Sequence, residues 1–377
     1  MINRKGWKYL LGWGIPAVLL LVGVIGAGVL VIGGEQAFGT SDAVPWGLLI
    51  AGYVWLAVTA SGLCLASSLG HVFNVEVFQV MVPRAIFLAI TVLVAGFSVL
   101  AVELGHPFRL VYILLTPNFS SGIWWMGTIY GIYLVFLVIE LFFLLTHRHR
   151  AARVTGVITF MLAVAATSNL GAVFGFVNAR PFWAGPYYSL FILLTAVLSG
   201  FAALGVLTWL LQRGDGGERG RRMRHLLPVL GSGMAALLGA AAVFTVWKII
   251  SGLYGGQPGT YQAVLTLVDG PLSLNFWLLE VTIGLAVPLV WLLLAAGRRQ
   301  VAVFVVSTMV LVGLVFTRLD MVAAGQIVPL ANLDAACPFT GCVNYSPSFG
   351  EWTVIAGALG FILLVYRAGE RMLDLDE

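Results

Sequence analysis

The segment Glu103-Leu-Gly-His106-Pro-Phe-Arg109, followed by Pro117-Asn118-Phe-Ser-Ser-Gly-Ile-Trp124-Trp125, sets ionisable and polar side chains between two long apolar runs. An acid at the mouth of an apolar helix can accept a proton. His106, Arg109 and Asn118 in the same hairpin can relay that proton or bond the oxygen of a small molecule. Glu103 alone has two readings. It is a helix-end acid paired with Arg109 or His106, or it is a proton acceptor for a ligand arriving from the membrane. Its neighbours favour the second.

Other candidates lie inside apolar runs, where ionisable groups are costly and point to function. Glu140 falls near one end of the fourth run and Glu280 in the opposite half of the eighth. Either is a structural acid bonded between helices or part of a proton path. Asn275, Trp277 and Pro288 around Glu280 favour the path there, whereas Glu140 reads first as structural. Arg318 and Asp320 read as a local ion pair. Asn169, Asn178 and Arg180 run into Pro181-Phe-Trp183, where Asn and Arg can donate to a carbonyl oxygen and Trp183 offers a flat face to a ring. Helix capping competes as a reading and suits Asn178. Tyr53 and Trp55 are candidates for an aromatic belt.

A membrane haem needs axial histidines from facing helices, well inside the span. His71, His147, His149 and His225 fall at helix ends and His106 in a loop, so neither haem nor a metal is expected in this chain. Cys337 and Cys342, spaced as Cys-Pro-Phe-Thr-Gly-Cys, suit a small-loop disulfide in an oxidising compartment. Cys64 lies mid-run and reads as a buried small hydrophobe. No phosphate-binding loop, dinucleotide fingerprint or Ser-His-Asp arrangement stands in the sequence.

The elements that must carry these residues follow from composition. Hydrophobic residues make up 60% of 377 and charged ones 10%, with mean hydropathy +1.00, whereas soluble domains carry about 25% charged residues. Ten runs approach or exceed the ~20 residues a helix needs to cross hydrocarbon: 13–32, 46–70, 84–103, 123–146, 152–177, 187–211, 228–250, 272–296, 300–320 and 350–367. They are continuous rather than alternating, which excludes a barrel. The expected fold is an all-α, ten-helix integral membrane protein. The first run is expected to be retained, being longer than a signal-peptide core and followed by no evident cleavage site.

With the N-terminus inside, sixteen of the 20 Lys and Arg fall on the cytoplasmic side. Arg109, Arg180, Lys248 and Arg318 are left outside, a positive-inside distribution that places both termini in the cytoplasm. The net charge of +4 is thereby explained by topology, and nucleic acid is not implied. The outside connections, 33–45, 104–122, 178–186, 251–271 and 321–349, are longer and richer in sequence than the inside ones, as a docking face would be. Thr59-Ala-Ser61-Gly62 and Thr195-Ala-Val-Leu-Ser199-Gly200 hint at a duplication. That suggests four-helix bundles over 46–177 and 187–320, flanked by helices one and ten.

The Glu103–Arg109 stretch with Asn118–Trp125 resembles the acid-Leu-Gly-x-Pro-x-Arg and Ser-x-x-Trp signature of the NrfD/polysulfide-reductase membrane-subunit family. Ala179-Arg180-Pro-Phe-Trp183 with Leu198-Ser-Gly200 resembles its next motif, and Trp277-Leu-Leu-Glu280 and Tyr345–Glu351 resemble its ten-helix branch. The resemblance implies a single polytopic subunit without haem or metal that exchanges electrons with menaquinone or ubiquinone in a prokaryotic cytoplasmic membrane. It implies a periplasmic ferredoxin-like 4Fe-4S partner and, beyond it, a molybdenum- or tungsten-pterin, hydrogenase or cytochrome subunit. Carried over by motif, Glu103 is the pocket acid, with Arg109, Asn118, Arg180 and Trp183 around it. Tyr53 stands where some relatives place a histidine.

The sequence thus points to a quinone-interacting membrane anchor of a respiratory redox complex. Glu103 would take a proton and pass it out through His106, and Glu140 and Glu280 would form a proton path. Two other classes fit less well. A proton-coupled transporter should show matched broken helices in its two halves. A purely structural anchor should tolerate loss of Glu103 and Arg180.

Overall fold

The computed structural model describes residues 10–105, 112–213, 217–294, 300–329, 342–343 and 345–375. Helix is its only regular secondary structure among those residues, and ten helices are long and apolar enough to cross a membrane. In chain order they are α1 (Ile15–Gly33), α2 (Leu48–His71), α3 (Val82–Glu103), α4 (Gly122–Leu145), α5 (His149–Gly175), α6 (Tyr187–Gln212), α7 (Glu218–Tyr254), α8 (Asn275–Leu293), α9 (Gln300–Ile327) and α10 (Phe349–Met372).

In hydrocarbon every backbone polar group must be paired within its own segment, so these apolar runs become helices. Their ends are set by local chemistry. Ser121 accepts from the Trp124 amide at 3.3 Å to start α4. Ser348 and Glu351 form a reciprocal capping box at the start of α10, and Pro16 and Pro83 stand in first turns, where a missing N–H costs nothing.

Two boundaries differ from the sequence expectation. The basic stretch Arg219–Arg224, expected in a turn, belongs to α7, which begins at Glu218 and runs through Pro228; Arg222 pairs with Glu218 one turn away at 2.9 Å. At the other side, α9 does not end near Asp320 but continues through the apolar stretch Met321–Ile327. Lys248 and Arg318, inside the runs 228–250 and 300–320 but counted with the outside charges, sit within α7 and α9, and Arg318 is only 1% exposed.

Helix α2 is buried along nearly its whole length and packs on α3, α5, α6 and α9. α4 packs on α5, α6 on α7 and α9, α8 on α9, and α1 on α10. Helices α2 and α6 come into backbone contact. A Cβ on Gly62 would strike the Ala196 carbonyl and the Gly200 amide, and one on Gly200 would strike the Gly62 backbone. The two similar Ser-Gly segments noted in the sequence are thus the crossing point of these helices, where small residues allow backbone contact.

Candidate functional site

Glu103 closes α3, and its carboxyl lies beside the backbone amide of Gly47, the residue before α2. One carboxylate oxygen, Oε2, is buried without a hydrogen-bond partner. Beside it is a second acid. Glu351, 0% exposed, accepts from the amides of Gly39 at 3.0 Å and Ser348 at 2.6 Å, and from the Tyr345 hydroxyl at 3.2 Å. The Tyr345 hydroxyl in turn accepts from the Leu48 amide at 2.5 Å. Burial, reinforced by the Glu351 carboxylate, pushes Tyr345 well above the ordinary phenol pKa, so it stays a donor. Gly47 makes this meeting possible: a Cβ there would fall 2.6 Å from the Tyr345 hydroxyl and 2.7 Å from Glu351.

A pocket of about 540 Å³ opens against this acid, walled by Glu103, Leu104 and Gly105 on one side and by Glu35, Phe38 and Asp42 on the other. That volume lies in the range of small-molecule sites. The pocket joins a polar wall of Glu35, Ser41 and Asp42 and an apolar one of Leu30, Val31 and Phe38 to the Glu103 carboxyl, an acid placed to take a proton from a bound molecule.

Arg180 braces the same end of the molecule. Its Nη1 donates to the carbonyls of Gln326 at 3.0 Å and Val328 at 2.9 Å, and its Nη2 to Ala43 at 3.3 Å. Partial burial lowers its pKa, but a guanidinium remains charged. Gln326 ties α9 to Trp46 through both amide atoms, accepting from the Trp46 amide at 3.0 Å and donating to its carbonyl at 2.9 Å. Trp183, 2% exposed, stacks on Trp46 with centroids 5.3 Å apart and donates to the Met321 carbonyl at 2.7 Å. Its N–H is therefore spent on the protein itself.

The remaining candidates scatter. Tyr53 is buried and stacked on Phe97 at 6.3 Å, with its hydroxyl unpartnered. Asn118 is exposed and accepts from the Ser120 amide and hydroxyl at 3.2 and 2.7 Å, forming the turn before α4. Asn169 lies in α5 with its oxygen buried and unpartnered. His106, Arg109 and Cys337 lie outside the described residues. Cys342 is disulfide-bonded and Cys64 is free and buried.

Glu140, wholly buried, lies 2.7 Å from His71 Nε2 and accepts from the Thr159 hydroxyl. His71 Nδ1 faces the Ser67 carbonyl at 3.1 Å. Both ring nitrogens thus lie beside oxygen atoms. Sequence reasoning weighs His71 only as an unsuitable haem ligand; it and Glu140 are distant in the chain, and no local spacing marks the pair.

Glu280 has richer surroundings than expected. It lies in the π-helical part of α8, Asn275–Ala286, a helix form that recurs at functional sites. Asp320, Lys248 and Arg318 converge on it. Arg318 does not bond Asp320 as the sequence suggested; its Nη2 donates to the Thr195 hydroxyl, and Asp320 faces Glu280 and Asn275 instead. The cause is helical spacing: two residues apart, the side chains point in different directions. Lys248 donates to the Tyr188 hydroxyl and lies 3.6 Å from the Tyr188 ring centroid and 3.8 Å from that of Phe182. The cavity here is about 30 Å³, room on the order of one water molecule.

Among the described residues no group of three or more His, Cys, Asp or Glu is arranged to hold a metal ion. The family model for polysulphide reductase, NrfD, matches residues 36–330. The chain belongs to the NrfD family. A selenate reductase subunit of Mesobacillus selenatarsenatis is 23% identical over 93% of this chain and 91% of the relative. The Hdr-like menaquinol oxidoreductase integral membrane subunit of Archaeoglobus fulgidus is 25% identical over 89% of this chain and 86% of its own length. A putative dimethyl sulfoxide reductase membrane subunit of Halobacterium salinarum is 25% identical, with 97% and 91% covered. This NrfD-family chain is a multi-pass integral membrane protein similar throughout to membrane subunits of reductase and oxidoreductase complexes.

Proposed function

We propose that this subunit exchanges electrons between the membrane quinone pool and an iron–sulfur protein docked on the Glu103 face. The observation that carries the reading is the pocket at Glu103, where a partly buried carboxyl group lines a cavity sized for a ring. A relative named as a menaquinol oxidoreductase subunit supports a quinone as the small molecule. The quinone supplies the two-electron, two-proton chemistry. Glu103 takes the proton as quinol is oxidised, and the acidic wall of Glu35 and Asp42 leads it away. His106 would continue that route, with Arg109 and Asn118 at the rim.

Arg180, Gln326 and Trp183 hold the loops that form the pocket, so Arg180 acts here by positioning. The positive-inside distribution supports both termini in the cytoplasm and the Glu103 face outside the cytoplasmic membrane of a prokaryote. There a periplasmic 4Fe-4S subunit would dock, followed by a pterin, hydrogenase or cytochrome subunit. We infer bundles of α2–α5 and α6–α9 flanked by α1 and α10, packed on one another through α2 and α6. His71–Glu140 near one face and Lys248–Glu280–Asp320 nearer the other are the proton-holding groups of a path between the faces. The transporter reading wants matching broken helices, whereas α4, the counterpart of α8 in the first half, is a regular α-helix over Gly122–Leu145.

Mild extraction from native membranes, followed by mass spectrometry and a quinol-linked turnover assay, tests this reading. Co-purification of an iron–sulfur polypeptide with quinol-dependent activity is expected. An intact lone polypeptide that moves a solute across vesicles would contradict it.

A further inference from the structure

Away from the Glu103 pocket, a groove of about 520 Å³ runs along the lipid side of the molecule between α10 and the helices α2, α3, α6 and α9. Its walls are almost wholly apolar, including Leu88, Val92, Val206, Leu207 and Leu363. Its charged groups stand at one end, where Tyr366, Arg367 and Glu370 meet Gly12, and Trp55 and Thr59 add polar atoms to the wall. From Leu359 to Glu370 the groove follows α10 for roughly 16 Å, about half the ~30 Å hydrocarbon core. It is one leaflet deep, with its charge at the membrane surface.

The acid at that end is already committed. Glu370 accepts from Arg84 Nε at 3.3 Å and from the Tyr366 hydroxyl at 3.2 Å. Among the described residues no carboxylate pairs with Arg367. Its guanidinium lies against Gly12, where a Cβ would collide with it, and 5.5 Å from the Trp13 ring centroid. Arg371 lies over the same ring at 4.8 Å. The site therefore presents Arg367 at the head of an apolar slot, with the exposed Arg371 against the same indole outside it.

We propose that this groove is a binding site for an anionic phospholipid, with the phosphate on Arg367 and one acyl chain along Leu207 and Leu363. A quinone tail would account for the apolar walls but leaves Arg367 unexplained, whereas basic pockets between spanning helices suit acidic headgroups. The site does not depend on the quinone reading or on which face is cytoplasmic.

The test is native mass spectrometry of the full chain, delipidated in detergent and then offered phosphatidylglycerol or phosphatidylcholine. The wild type should retain one phosphatidylglycerol per chain in preference to phosphatidylcholine. R367Q should lose that preference by about tenfold, or about 1.4 kcal/mol. R367K should keep it, and V206W, which fills the slot, should abolish retention while the protein stays monodisperse. Equal retention of both lipids by the wild type, which needs no variant, overturns the proposal. So does an R367Q protein that binds as the wild type does. Recovery instead of an isoprenoid quinone, lost in W55F, would reassign the groove, because the Trp55 indole N–H in its wall is buried without a partner.

Discussion

The acids at Glu103 and Glu280 lie toward the same face, yet their surroundings differ in kind. Glu103 borders an open pocket of about 540 Å³ built from loop and helix-end residues. Glu280 shares about 30 Å³ with Lys248, Asp320 and Tyr188 inside the helix pack. The first can admit a ring and hand a proton to the aqueous face. The second can admit little more than water, and its two acids face two cations, so it can store and pass a proton without meeting the ligand. A buried acid is thus no marker of a ligand site on its own; the space beside it decides.

Four changes would break or sharpen that contrast. The largest effect is expected for E103Q, which keeps shape and removes the proton acceptor. Quinol turnover of the assembled complex should fall by about 10²-fold or more, with subunit assembly unchanged on native gels. Near-normal turnover would remove Glu103 from the chemistry. E351A should act on stability first, because it destroys the α10 capping box and leaves the Gly39 amide and Tyr345 hydroxyl without their acceptor. A loss of roughly 2 kcal/mol or more is expected, read as a lowered thermal midpoint.

E280Q should leave affinity for a quinone analogue unchanged while abolishing proton uptake coupled to turnover in vesicles. If both turnover and proton translocation survive, the path through α8 is wrong. The smallest effect is expected for Y345F, which loses the link from Leu48 to Glu351. Because folding raises the phenol's pKa, its contribution is complete below the ordinary value near 10 and is lost only as pH rises beyond it. The Y345F stability deficit should therefore be constant between pH 6 and 9; a deficit that changes across that range would place an ionised tyrosine at Glu351.

Helix number and Glu103 were legible in the sequence for one reason: both depend on local properties, a run of apolar residues and an acid at its end. What escaped depends on tertiary approach. His71 and Glu140 meet across a turn of one helix and the interior of another, with Gly156 leaving room for the imidazole. Lys248 and Arg318 fell inside apolar runs yet were counted with the outside charges, because a run of apolar residues does not say which partners a charge meets between helices. Arg180 and Trp183 were legible as important but not in their manner of acting: their donors are spent on backbone carbonyls of α9 and its end. Glu351 was visible only within a longer motif, since nothing in its spacing announces that it will lie beside Glu103.

The most direct test of the account is a fluorescence titration of the purified subunit with a fluorescent quinol analogue, comparing wild type, E103Q and E280Q. One site per chain is predicted, weakened about tenfold or more in E103Q, or ~1.4 kcal/mol, and unchanged in E280Q. Equal binding by wild type and E103Q, or loss of binding in E280Q alone, would contradict the assignment of the Glu103 pocket as the quinone site.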